Sequence, residues 1–110
     1  MIVDTGSEID MGRAAVALRC FADFIACRPS LPKLAEIRLA WFYPDGCWSL
    51  SGQLHHPVTV DALTVWSNAL DDAVITARAL SPRTVQHEVS GTIHGHLIAV
   101  WLHEYVGGNA

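Results

Sequence analysis

The sequence has 110 residues and a formal net charge of −4; 51% of its residues are hydrophobic and only 16% are charged. This length predicts one domain over residues 1–110, with a core that needs no disulfide or metal support. Its basic residues form no run, which argues against binding to a nucleic-acid duplex, and no apolar stretch reaches the roughly 18 residues of a membrane span.

The cysteine pattern of this chain is typical of a protein in a reducing compartment. Its three cysteines, Cys20, Cys27 and Cys47, include no CxxC pair, so they are interpreted as small hydrophobic residues. Residues 1–10 are acidic and lack the basic start of a signal peptide. The predicted location is therefore the cytoplasm.

The first segment has the periodicity of an amphipathic helix. Ser7 and Asp10 have the spacing of a capping box, and Pro29 and Pro32 end the pattern. The apolar stripe, at 3.6-residue spacing, consists of Met11, Ala14, Ala15, Leu18, Phe21, Ala22 and Ile25. A helix that buries this stripe is expected.

A hairpin is predicted next, with strands over 36–43 and 47–54. Asp45-Gly46 suits a type I′ turn, which needs positive φ at both central positions. One face then holds Ile37, Leu39, Trp41, Tyr43, Trp48, Leu50, Gly52 and Leu54. The other holds Arg38, Ala40, Phe42, Cys47, Ser49, Ser51 and Gln53.

A second helix and a second hairpin follow the linker His55-His56-Pro57. Thr59 is the predicted N-cap, with Val58 and Leu63 as a hydrophobic staple. The stripe is Leu63, Trp66, Ala69, Leu70, Ala73, Val74 and Ala77, and Ser81-Pro82 closes the helix.

The second hairpin covers about 83–93 and 96–105, around His94-Gly95. Its apolar face holds Val85, Val89, Ile93, Ile98, Val100 and Leu102. Its other face holds Gln86, Glu88, Ser90, Thr92, Leu97, Ala99, Trp101, His103 and Tyr105.

These elements predict a two-layer α+β sandwich of order αββαββ, with two helices on one face of a four-stranded antiparallel sheet. Helix, strand, turn and strand occur over about 8–55 and again over about 58–105. True duplication and two elements that obey the same packing rules both explain this repeat. The pattern leaves the strand order open.

The segment Leu18–Ile25 and the following Arg28-Pro29-Ser30-Leu31-Pro32 resemble small uncharacterised proteins of high-GC actinobacteria and their phages. Trp66 to Leu70, Val89 to Gly91 and Val100-Trp101 extend the resemblance over most of the chain. The resemblance implies the same helix and hairpin order. These proteins have no assigned activity, so it implies no catalytic residue.

The six histidines are the first candidates for chemistry. His87 and His103 fall on opposite faces of the last hairpin, and no HxxxH or CxxC metal pattern occurs. Cys47, beside the Asp45-Gly46 turn, is a candidate exposed thiol with His103 or Glu104 as its assisting residue, but nothing in the sequence places them together. No phosphate-binding loop and no GxSxG motif occur. No catalytic residue, metal site or cofactor is therefore predicted.

The face of the sheet away from the helices is the predicted working surface. Solvated faces usually carry charged residues, whereas this one is rich in alanine, serine, leucine and aromatic residues, a composition typical of interfaces. The predicted interface residues are Ala40, Phe42, Leu97, Ala99, Trp101, His103 and Tyr105. The predicted function is a non-catalytic protein-interaction module of phage or mobile-element origin, homodimeric through this face.

Two alternatives remain open from the sequence. A nucleic-acid-associated regulator would stack single-stranded bases on the aromatic residues of the same face. A small enzyme or metal-binding protein would use the histidines. Scattered surface hydrophobic residues without a function are the remaining interpretation.

Overall fold

The computed structural model describes residues 9–42, 46–55 and 59–106. Within these residues the chain forms two helices and one five-stranded sheet, so the predicted α+β class is confirmed. None of the described helices is both long enough and apolar enough to cross a bilayer.

The first helix, α1, spans Met11–Ala26, and its N-cap is Asp10. The Asp10 carboxylate accepts a hydrogen bond from the backbone N–H of Arg13 at 3.0 Å, which stabilises the N-terminus of a helix. The Trp48 indole donates to the Asp10 carbonyl at 2.7 Å and so ties this end to the sheet. Ser7, the predicted partner of Asp10 in a capping box, lies outside the described residues.

The buried side of α1 is rotated from the predicted stripe. Its buried residues are Ala14, Ala17, Phe21 and Phe24. The predicted core positions Met11 and Leu18 are 69% and 47% exposed, so the prediction was wrong for both. The rotation turns both phenylalanines inward, and the alanines let the helix approach the sheet. Phe24 then stacks on Trp66 of the second helix, with ring centroids 6.2 Å apart.

The second helix, α2, spans only Asp61–Ala69. Its N-cap position is Val60, which makes no side-chain capping bond, so the prediction of Thr59 was wrong. Val58, the other half of the predicted staple, lies outside the described residues. Trp66, 1% exposed, donates its indole N–H to the Pro32 carbonyl at 3.0 Å and holds α2 against the loop that follows α1.

The second half of the predicted helical stripe forms a strand, β3 (Asp71–Ser81). Helical spacing of apolar residues misled the prediction here. Val74, Ile75 and Thr76 are consecutive β-branched residues, which lose side-chain freedom in a helix and fit a strand. Asp72, the second residue of β3, adopts the left-handed conformation at φ 52°, where the pairing with β4 is irregular. The chain therefore has five strands, not four.

The other strands are β1 (Leu34–Phe42), β2 (Cys47–Leu54), β4 (Thr84–Ile93) and β5 (His96–Tyr105). The sheet order is β1-β2-β5-β4-β3. Neighbours are antiparallel except β2 and β5, which run parallel at the centre. The prediction of a wholly antiparallel sheet was therefore wrong. Three strands follow α2, whereas two follow α1, so the two units differ by β3.

Both predicted hairpins form, and the residues that share each face are as predicted, but only the second has the predicted register. A two-residue turn at Asp45-Gly46 would place Tyr43 opposite Trp48, so the predicted register of the first hairpin was wrong by two residues. Trp41 lies opposite Trp48 in the first, and Val89 lies opposite Val100 in the second. His94 and Gly95 have φ of 49° and 83°, as a type I′ turn requires. Tyr43, Pro44 and Asp45 of the first turn lie outside the described residues.

Both helices pack on one side of the sheet, the helix side. The buried core cluster joins α1 and α2 to one face of the inner strands. Its members are Phe21, Phe24, Leu50, Leu54, Leu63, Trp66, Leu70, Val89, Ile93, Ile98, Val100 and Leu102. We call the other side of the sheet, which neither described helix covers, the open face.

Candidate interaction surface

Strand pairing arranges the open face in rows that cross the sheet. Ala40, Ser49 and Leu97 are Cα partners in one row. Arg38, Ser51, Ala99, Ser90 and Val74 form the next row, which crosses all five strands. Glu36, Gln53, Trp101, Glu88 and Thr76 form the third. Successive rows are therefore one two-residue step apart along each strand.

The inner part of the first two rows, away from Arg38 on β1, forms a patch of small and apolar side chains, which we call the apolar patch. Its members are Ser49, Leu97, Ala99, Ser90 and Val74. A depression of about 410 Å³ lies here, lined by Ser49, Leu50, Asp72, Ser90, Gly91, Thr92, Leu97, Ile98 and Ala99. Leu97 and Val74 flank it and are 47% and 56% exposed. The depression exists because Ser49, Ser90 and Ala99 leave the space that larger side chains would fill.

The third row and those beyond it are polar and aromatic. His103 Nε2 lies 3.2 Å from Gln86 Oε1, and the Gln86 amide donates to Glu88 Oε1 at 3.5 Å. The rings of Trp101 and His103 are tilted, with centroids 4.8 Å apart. Tyr105, at the far end of β5, is 66% exposed. The open face thus has an apolar end and a polar end.

The predicted interface residues are distributed between these two ends. Leu97 and Ala99 lie in the apolar patch, with Ala40 in the same row as Leu97. Trp101 and His103 lie together at the polar end, and Tyr105 lies beyond them. Phe42 pairs with Cys47 through its backbone, but its side chain lies outside the described part of the chain.

The charges of the open face are mixed. Arg38 and Arg78 lie among Glu36 and Glu88, and Arg38 Nη2 is 3.4 Å from Glu36 Oε1. A surface that follows a nucleic-acid backbone needs an excess of positive charge. The described face has none, so this observation does not favour the nucleic-acid alternative.

The histidine and cysteine candidates do not converge. His87 lies on the helix side, where its Nε2 is 2.9 Å from Glu104 Oε1, while His103 lies on the open face. Cys47 begins β2, at the opposite end of the sheet from His103. Within the described residues, no three His, Cys, Asp or Glu side chains are placed to hold a metal ion. All three cysteines are free thiols.

Strand β3 extends the apolar surface to one edge of the sheet. Every residue of β3 except Ala73 is exposed, and among the described strands it pairs only with β4. Val74, Ile75 and Leu80 are 56%, 46% and 45% exposed. Sequence reasoning missed this surface because these residues were assigned to a helix; the β-branched run was the signal that could have revealed it.

Compared with protein-family models, curated proteins and solved structures, the chain matches none. A functional argument therefore depends on the chain's own geometry.

Proposed function

We propose that this chain is a non-catalytic protein-interaction module that acts as a homodimer. One observation carries the proposal: the exposed apolar side chains of Leu97 on β5 and Val74 on the edge strand β3 are joined across the open face by the small residues Ala99 and Ser90. Contiguous apolar surface of this kind marks interfaces in proteins that are otherwise well solvated. The homodimer is the simplest assembly, since one surface then serves both partners.

The driving force is the removal of apolar surface from water, about 25 cal/mol for each Å² buried. Val74 is the position where the open face meets the edge of the sheet. A charge introduced there would have to be desolvated if either surface bound a second copy. Val74 therefore tests the proposal without fixing the geometry of the dimer.

Two geometries fit the proposal. In the geometry that the sequence predicts, the open faces of two copies pack on each other, and Ser49, Ser90 and Ala99 allow a close approach. That closure would bury the polar chain from His103 to Glu88, whose hydrogen bonds would then need partners on the second copy. In the other geometry the copies meet at the edge of the sheet.

The experiment is sedimentation equilibrium or light scattering over a concentration series. The wild-type chain is expected at twice its 12.0 kDa mass. Val74→Glu is expected to reduce the mass to that of one chain. Val65→Glu is the matched control, because Val65 is 45% exposed on α2, and its dimer should persist. A wild-type chain that stays monomeric at every concentration would contradict the proposal.

A further inference from the structure

The two edges of this sheet differ in how well they are protected. Natural edge strands avoid pairing with other chains through charges, bulges or short length. On β1, Glu36 and Arg38 lie near the middle of a nine-residue strand, and a bulge lies near its start. On β3, an eleven-residue strand, Asp71 and Asp72 and two register shifts lie at the ends, but the regular segment Val74–Ala79 has one charged residue, Arg78, whereas the regular segment of β1 has two. The β3 edge is therefore the less protected one.

The middle of β3 is regular and unobstructed. Val74–Ala79 pairs with β4 without a break, and the register shifts lie outside this segment. Ile75, Ala77 and Ala79 lie on the helix side by register but are exposed, so α2 does not cover them. Among the described residues, no helix covers this six-residue stretch, and β3 lies at the edge of the sheet. An unpaired strand edge of this kind binds another strand.

We propose that two copies join through antiparallel β3 strands about a two-fold axis at Ala77, which forms one continuous ten-stranded sheet. The inference depends on the proposed function, since it names the surface through which the homodimer forms. The two-fold axis runs perpendicular to the sheet, so both helix layers stay on one side and both open faces on the other.

The sequence of β3 complements itself best in this register. Centred on Ala77, the pairing places Val74 of one copy opposite Leu80 of the other, and Ile75 opposite Ala79. Arg78 then lies opposite Thr76, so the two arginines are not directly opposed. A register centred on Arg78 would place the two guanidinium groups opposite each other, which is unfavourable. The register centred on Thr76 leaves Val74 opposite Arg78 instead of an apolar side chain.

A second β3 strand suits this edge better than a flat apolar surface does. Val74 lies on the open face, and Ile75 lies on the helix side. A partner that packed on the open face would leave Ile75 in water. A paired strand contacts both side chains and also satisfies the outer backbone N–H and C=O groups of β3. The exposure of both sides of β3 therefore favours edge pairing over face packing.

The test is a charge swap at the two-fold axis. Ala77→Lys and Ala77→Glu each place two like charges directly opposite, and each variant alone should have the mass of one chain. An equimolar mixture of the two should recover the mass of two chains, because lysine then faces glutamate. Ala35→Lys and Ala35→Glu on the other edge strand are the controls and should remain dimeric. Circular dichroism confirms that the variants are folded.

Each other result has a separate meaning. If the Ala77 variants stay dimeric while Leu97→Glu becomes monomeric, the open faces form the dimer; the inference is then wrong and the proposed function holds. If each Ala77 variant is monomeric and the mixture does not recover the dimer, the register centred on Ala77 is wrong. A monomeric wild-type chain overturns the proposed function and the inference together.

A measurement on the wild-type chain guards against variants that fail to fold. Amide hydrogen exchange within Val74–Ala79 should slow as concentration rises, because pairing protects the outer N–H groups. Amides of β1 should exchange at a rate independent of concentration. If the two edges respond alike, the β3 interface is contradicted.

Discussion

Gly91 has no room for a side chain. A Cβ there would lie 2.7 Å from the Asp71 carbonyl oxygen and 3.1 Å from the Leu70 Cβ. Asp71 and Leu70 form the junction between α2 and β3, so this close backbone approach fixes where the helix gives way to the strand. Gly52, on the same side of the sheet, meets only the Leu34 side chain, at 2.7 Å.

Gly91→Ala is therefore expected to lower the free energy of unfolding by about 1–3 kcal/mol, the usual cost of overpacking against atoms that cannot move. Gly52→Ala is the matched control and should lose less than about 1 kcal/mol, since the end of a leucine side chain can rotate away. Urea denaturation of both variants measures the difference. Equal losses would contradict the rigid contact at Gly91.

At the residue scale, the sequence could predict facing residues but not polar partners. The turn chemistry placed Trp41 and Trp48 on one face but not directly opposite each other, and in the structure their rings meet edge to face at 5.3 Å. The partner of the Trp48 indole, the Asp10 carbonyl, lies 38 positions away. Periodicity contains no information on such a contact, because the contact depends on where the N-terminus of α1 lies on the sheet.

At the scale of elements, α1 shows that helical spacing of apolar residues does not by itself predict which of them are buried. Leu18 fits the apolar stripe by spacing, yet it is 47% exposed, while Phe21 is 4% exposed. An apolar stripe wider than the contact area leaves the rotation of a helix undetermined. Packing of the aromatic rings settles it here, and the sequence alone does not contain that constraint.

Leu18→Ala should therefore change stability by no more than about 0.5 kcal/mol, as exposed positions do. Phe21→Ala should cost about 3–5 kcal/mol, because it leaves a cavity in the core. Thermal or urea unfolding of the two variants provides the comparison. A loss of several kcal/mol in the free energy of unfolding for Leu18→Ala would indicate that Leu18 is buried, as the sequence predicts.

The α2–β3 boundary explains most of what the sequence could not predict. Alanines at helical spacing fit helix and strand alike, so Ala73 and Ala77 did not discriminate. The break lies at Leu70, which is extended at φ −96° and ψ 155° and lies beside the tight contact at Gly91. Because the pattern predicts a helix over β3, it does not predict the fifth strand or its exposed edge. It does predict which residues of the other four strands share a face.

At the scale of the whole molecule, β5 is the central strand and should be the most protected. Amides within Leu97–Trp101 and their partners Ser49–Gln53 should exchange only through global unfolding. Amides of the edge strand β1 should exchange at least about 10-fold faster, through local opening. Native-state hydrogen exchange resolves these classes. Slowest exchange in β1 would contradict the sheet order.

The parallel pairing of β2 with β5 also sets how the chain can fold. Their partners are 48 positions apart, since 97 − 49 = 48 and every pair in the ladder keeps this separation. By contrast, β1–β2 and β3–β4–β5 are hairpins that form from neighbouring residues. Long-range ladders are slow to form because loop closure must precede them. We therefore expect the pairing of β2 with β5, which joins the two hairpin units, to limit the folding rate.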